Sequence, residues 1–219
     1  MLTLITANKN YSSWSLRAWL ALRVAGIAFK EKRLALFTDE FARQLGGVTP
    51  AGLVPVLLDG NFAIWDSLAI CEYVAERHPE ARLWPSDPRA RARARSLAAQ
   101  MHSGFAQLRR VLPMNIEAHL PGIDVSDAQQ DISSVQAIWH DTRAEFGRGG
   151  PFLFGQFSIT DAFYAPVVSR FVTYGIAAAG PVHDYMDAIL ALPAMQEWTR
   201  EARAEAIFVP DDEPYRTHR

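Results

Sequence analysis

Apolar residues in the first eighty positions come mostly in short runs, whereas further on they recur at helical spacing, so the chain divides into two parts of different texture. Leu2–Thr6 (LTLIT) predicts a short buried strand, ended by the polar Ala7–Asn10. Leu16, Trp19, Leu20, Leu22 and Val24 follow at helical spacing, and Gly26 stands where a helix C-terminus takes a left-handed residue. Ala28–Leu36 alternates well enough for a second strand. Val54–Trp65 holds two apolar runs joined by Asp59-Gly60, a two-residue hairpin signal. Asp66–His78 then opens on a helix cap and carries Leu68, Ile70, Cys71, Val74 and Ala75 on its apolar positions. The order is β-α-β, an irregular stretch, a β-hairpin and a helix. The first two strands flank a crossover helix and should run parallel, and the hairpin adds an antiparallel pair.

From Pro79 the periodicity stops. PEARLWPSDPRA holds three prolines and reads as a linker. The pattern beyond it predicts helices over Asp87–Glu117, Ser126–Phe146, Ser158–Thr173, Val182–Leu190 and Ala194–Ala204, followed by a polar, loosely held tail. We therefore expect an α/β domain over 1–78, a linker over 79–88 and an all-α domain over 89–219. Arg89–Arg95 (RARARAR) is the one run of like charge. On a helix, alternate residues lie about 200° apart, so these arginines spread over two faces and make no stripe for nucleic acid.

Composition narrows the function classes. Of 219 residues 49% are hydrophobic and the net charge is -2, which gives no bulk attraction to nucleic acid or to an anionic membrane. A single cysteine, Cys71, leaves no internal disulfide, CxxC pair or cysteine-rich zinc site. The N-terminus is too short and polar for a signal peptide, and a cytoplasmic location is expected. No carboxylate or histidine cluster suggests a metal, and no phosphate-binding glycine loop occurs.

Four stretches carry candidate chemistry. SSWSLRAWLAL (Ser12–Leu22) stacks hydroxyls at the start of a helix, where serine is a preferred cap and where the helix dipole favours an anion. TPAGLVPVL (Thr49–Leu57) places Val54-Pro55 just before a strand. WDSLAI (Trp65–Ile70) puts Asp66 and Ser67 at a second helix N-terminus, fit either to cap the helix or to hold an anion. SITDAFYAP begins with a capping box, Ser158-x-x-Asp161.

Together these stretches resemble the cytosolic glutathione transferases, serine type, and within them the zeta or maleylacetoacetate isomerase-like group. The resemblance covers nearly the whole chain. It implies a thioredoxin-like glutathione-binding domain followed by an all-helical substrate domain. It places the catalytic serine on Ser12, its neighbour on Ser13, and Trp14 where the zeta motif has cysteine. It gives Pro55 a cis bond, Val54 an edge for the peptide backbone of glutathione, and Asp66 and Ser67 the γ-glutamyl end. Leu53 stands where many members carry a polar group. Met101, His102, Phe105 and Arg109 would face the Ser12 loop across a cleft and, with Trp14, select the electrophile, although packing explains this helix face as well. Glutathione as co-substrate, a small electrophile and a homodimer follow from the resemblance. Conjugation, glutathione-dependent cis–trans isomerisation, and a non-catalytic binding or regulatory role all stay open.

Overall fold

A computed structural model covers residues 1–219. Its first half is a four-stranded sheet in the order β2-β1-β3-β4, built from β1 (Leu2–Ala7), β2 (Phe29–Leu34), β3 (Val56–Asp59) and β4 (Phe62–Trp65). β1 pairs parallel with β2 and antiparallel with β3, and β3 pairs antiparallel with β4 across a two-residue turn, Gly60-Asn61, one residue later than the expected Asp59-Gly60. Gly60, at φ +61°, meets the turn's need for a left-handed residue. Helices α1 (Ser13–Val24) and α3 (Ser67–Arg77) pack with this sheet, and Leu4, Leu16, Trp19, Leu57, Ile70 and Val74 join the main core.

The stretch expected to be irregular contains a helix, α2 (Asp39–Gly46). The Thr38 hydroxyl caps it by accepting from Phe41 N–H at 3.1 Å. Its one buried residue, Leu45, closes a small second core with Ile5, Leu34 and Val56. At eight residues and polar overall, the helix is too short for its periodicity to stand out in the sequence.

The second half is helical: α4 (Pro88–Ser103), α5 (Ala106–Val111), α6 (Gln129–Phe146), α7 (Ile159–Thr173), α8 (Pro181–Ala191) and α9 (Pro193–Glu205). α7 is buried over nearly its whole length, as an all-round apolar helix must be, and packs against both α1 and α4. Its capping box is formed: Asp161 accepts from Ser158 N–H at 2.8 Å. No helix is long and apolar enough to cross a membrane.

Two further expectations are corrected, and the linker has a defined place. The single helix over Asp87–Glu117 is broken at Gly104-Phe105, where Phe105 takes φ +55°. A Cβ on Gly104 would lie 2.7 Å from the Gln100 carbonyl oxygen, so only glycine fits the break. The linker is docked, with Leu83 buried and the Trp84 indole N–H donating to Glu72 at 3.1 Å. The tail is anchored as well. Buried Glu213 accepts from the Tyr11 hydroxyl at 2.7 Å and from Arg216 Nε at 2.8 Å, and the Tyr215 hydroxyl donates to the Val111 carbonyl at 2.8 Å.

The arginine run is dispersed as its spacing predicts. Arg91 donates to the Pro85 and Ser86 carbonyls, Arg93 faces Glu145 at 3.6 Å and Arg95 faces Glu72 at 3.1 Å.

Candidate active site

Ser12 is the N-cap of α1, and its Oγ accepts from Ser15 N–H at 3.4 Å. The Ser12 hydroxyl donates to Ser15 Oγ at 2.8 Å when no outside acceptor is present, and Ser15 Oγ also accepts from Ala7 N–H at 3.2 Å. A hydroxyl proton rotates freely, so Ser15 can donate to Ser12 and leave the Ser12 proton for an acceptor outside the helix. This chain of donors strengthens that proton as a hydrogen-bond donor. Ser13 is occupied differently: its Oγ accepts from an Arg170 guanidinium nitrogen at 3.2 Å, tying α1 to α7.

Ser12, Ser13 and Trp14 line a cavity of about 500 Å³ with Tyr11, Leu53, Val54, residues of α2 and its approach, and Asp212 of the tail. Trp14, Leu53 and Val54 also line a neighbouring cavity of about 230 Å³ whose far wall is Pro55, Asp66, Ser67 and His102. The Val54–Pro55 bond is cis, and the Val54 N–H and C=O make no backbone hydrogen bond. The two cavities share Trp14, Leu53 and Val54, and side by side they reach from the N-terminus of α1, past an unpaired peptide edge, to the N-terminus of α3.

At the α3 end, Asp66 caps the helix through Oδ1, which accepts from Leu68 N–H at 2.8 Å and Ala69 N–H at 3.2 Å. Its Oδ2 lies 3.0 Å from His102 Nε2. Burial pushes His102 below its ordinary pKa; Asp66 opposes the fall, and Arg17 and Arg109 add to it. His102 thus stays neutral at pH 7 and donates from Nε2 to the carboxylate. Ser67 is 1% exposed, and its hydroxyl has no partner although it lines the cavity. A buried hydroxyl without a partner is a donor awaiting an acceptor.

Not every residue assigned to the electrophile lines the groove. Met101 is fully buried in the main core and lines neither cavity; it is a packing residue. Phe105 is also a core residue, at the break between α4 and α5. Arg109 turns back to cap the C-terminus of α4, donating to the carbonyls of Met101 at 3.3 Å, His102 at 3.2 Å and Gly104. The helix break removes the common face on which Phe105 and Arg109 were expected to stand with His102. Trp14 and His102 remain in the groove, in edge contact with ring centroids 5.3 Å apart.

Two features carry no local sequence signal. Arg17 is fully buried between the rings of Trp14, 4.2 Å away, and Phe163, 4.9 Å away, and none of its guanidinium nitrogens has a hydrogen-bond partner. Burial, with Arg170 and Arg109 nearby, pushes its pKa down to about 9. An unpaired buried cation opposes folding, so Arg17→Met should stabilise the protein by about 1–3 kcal/mol, read as a higher denaturation midpoint. A lower midpoint would show that ring stacking outweighs the lost hydration. The second feature is Asp212, brought into the Ser12 cavity from the far end of the chain. No group of three or more His, Cys, Asp or Glu side chains is placed to hold a metal ion.

With this geometry the comparisons agree. The family profile described as "Glutathione S-transferase, N-terminal domain" matches residues 11–77, and the one described as "Glutathione S-transferase, C-terminal domain" matches residues 90–201. Glutathione S-transferase 1 of Dianthus caryophyllus is 30% identical over 169 residues, 74% of each chain. Maleylacetoacetate isomerase of Rattus norvegicus is 34% identical over 103 residues, a match spanning 46% of this chain and 48% of that one. A solved glutathione transferase homologue from Burkholderia, with bound glutathione, superposes with a TM-score of 0.69 at 24% identity, covering 93% of this chain and 98% of that one. The fold is the thioredoxin-like sheet domain joined to a helical domain. The chain belongs to the glutathione S-transferase family.

Proposed function

We propose that the protein binds glutathione in the groove between the N-termini of α1 and α3 and activates its thiol with the Ser12 hydroxyl. The observation that carries this reading is the groove itself: two helix N-termini, each bearing a serine, with the unpaired Val54 peptide edge between them. An extended tripeptide pairs its backbone with such an edge. Its anionic γ-glutamyl carboxylate meets Ser67 and the α3 dipole, and its ammonium meets the partly exposed Asp66 carboxylate. Ser12 and the α1 dipole then stabilise S⁻ over SH.

The reaction is thiolate addition to a small electrophile held in the Ser12 cavity against Trp14, with His102 behind Trp14 on the wall of the neighbouring cavity. The isomerase relatives favour a second reading, cis–trans isomerisation of a small unsaturated diacid. In that reaction thiolate addition to the double bond permits rotation before elimination. A non-catalytic binding module is the outcome if purified protein binds glutathione and turns over no electrophile. The same family reading gives a homodimer in the cytoplasm, and light scattering would report twice the chain mass.

Ser67→Ala tests the orientation of the tripeptide. Loss of a hydrogen bond to a carboxylate should weaken glutathione binding about tenfold by calorimetry, with the thiol pKa of the bound fraction unchanged. Equal affinity would place the γ-glutamyl group elsewhere.

A further inference from the structure

We propose that Asp212, on the C-terminal tail, is a catalytic acid–base of the electrophile cavity, handing a proton to the electrophile as glutathione adds. The inference rests on the proposed glutathione reading. Its ground is placement. Asp212 lines the same cavity as Tyr11, Ser12, Ser13 and Trp14. Its carboxyl pairs with no cation and accepts no hydrogen bond, whereas the adjacent Glu213 is taken up by Tyr11 and Arg216.

The tail is built to hold this carboxyl still. Tyr11, beside Ser12 in sequence, donates its hydroxyl to Glu213, lies 3.1 Å from the Ile207 carbonyl, and accepts from Val209 N–H at 3.3 Å. Arg216 donates to Glu117 at 3.1 Å, and Tyr215 holds the Val111 carbonyl. The serine loop and the tail acid are thus fastened to each other through one side chain, although they are about 200 residues apart.

The surroundings keep a proton within reach at neutral pH. Burial and the neighbouring Asp211 and Glu213 push Asp212 up to about 6. Asp39 of α2 is a further acid on the cavity wall, and Tyr11, itself raised to about 12 by burial and Glu213, stays neutral. Arg216 of the tail is committed to Glu213 and Glu117.

The step balances for an α,β-unsaturated carbonyl compound. The thiolate forms an S–C bond at the β-carbon, the π pair moves to the carbonyl oxygen, and the Asp212 carboxyl gives that oxygen its proton. In conjugation the enol ketonises, and Asp212 recovers a proton from solvent. In isomerisation the enol rotates about the former double bond, Asp212 takes the proton back, and the thiolate leaves. Substitution on an aryl chloride loses chloride and needs no proton delivery.

The test compares two electrophiles, an enone (4-phenyl-3-buten-2-one) and 1-chloro-2,4-dinitrobenzene, in wild type and Asp212→Asn. General acid catalysis is commonly a factor of roughly 10², so the variant's ratio of enone to aryl chloride kcat/KM should fall by about that factor. In the wild type the enone profile should rise with thiolate formation and fall as Asp212 loses its proton. In the variant only the rise should remain. An unaltered ratio with the same enone profile in both proteins overturns the assignment while leaving the glutathione reading in place. Failure of the wild type to bind glutathione overturns both. A loss shared equally by the two electrophiles shows that Asp212 only shapes the cavity, and also overturns it.

Discussion

Replacing Ser12 by alanine is expected to lower turnover by on the order of 10²-fold, the usual cost of deleting one hydrogen bond aimed at a developing or held anion. The reason lies in what the hydroxyl is free to do. Ser13 accepts from Arg170, and Ser15 is joined to Ala7 and Ser12, so Ser12 is the hydroxyl at this helix start whose proton can leave the protein's own network. Removing it leaves the α1 dipole in place, and some thiol activation should persist. The bound thiol should then titrate about 1–2 units higher in Ser12→Ala than in the wild type, a loss of roughly 1.4–2.7 kcal/mol of thiolate stabilisation. Following thiolate absorbance against pH with glutathione saturating measures this directly. Affinity should stay within a few-fold, because the γ-glutamyl end and the Val54 edge are untouched. A variant that binds glutathione with an unshifted thiol pKa and full turnover would remove Ser12 from the chemistry. Ser15→Ala should show a smaller change in the same direction.

The groove was more legible in the sequence than its walls. Ser12, Val54, Pro55, Asp66 and Ser67 each sit at an element boundary, and boundaries leave local marks: a cap, a proline, a hydroxyl before an apolar run. α2 left little mark because it is eight residues long and polar overall. The break at Phe105 combines a glycine the sequence displays with a left-handed phenylalanine that only tertiary packing enforces. Phe105 and Arg109 were misplaced for that reason, since the face they were given with His102 presumed an unbroken helix; Met101 lies before the break and turns into the core. Arg17 and Asp212 depend on contacts with distant segments: one cation lies against a ring of α7, and one acid is brought to the serine loop by Tyr11 and Glu213. Helical periodicity assigns a charged residue to the surface unless it is told what packs there.

Lys9→Met is expected to destabilise the protein by about 3 kcal/mol, the lower end of the cost of removing one partner from a buried ion pair, because the Glu31 and Glu201 carboxylates left behind are part-exposed. Lys9 is fully buried, with its ammonium 2.9 Å from Glu31 of β2 and 2.7 Å from Glu201 of α9. The ammonium also lies 4.4 Å from the Trp19 ring centroid and 4.7 Å from that of Trp198, which adds cation–π attraction in a desolvated setting. Without it two carboxylates face each other across the seam between sheet domain and helical domain. At about 2–4 °C per kcal/mol for a chain of this size, the melting temperature should fall by roughly 10 °C. The effect has a pH signature. Burial raises the Glu201 carboxyl, but its hydrogen bond and attraction to Lys9 prevail and hold it below its usual range. Its contribution is therefore present above the unfolded carboxylate pKa and disappears as pH falls through the lower folded value. The gap between wild type and variant should narrow at acid pH, and Glu201→Gln added to Lys9→Met should restore part of the loss. A variant as stable as the wild type would mean that the ion pairs only match the cost of burying them. Because Lys9 lies three residues before Ser12 in the same loop, a loss of stability here should bring a loss of turnover with it. Turnover kept in the folded fraction of Lys9→Met would show instead that the loop holds its serine without the latch.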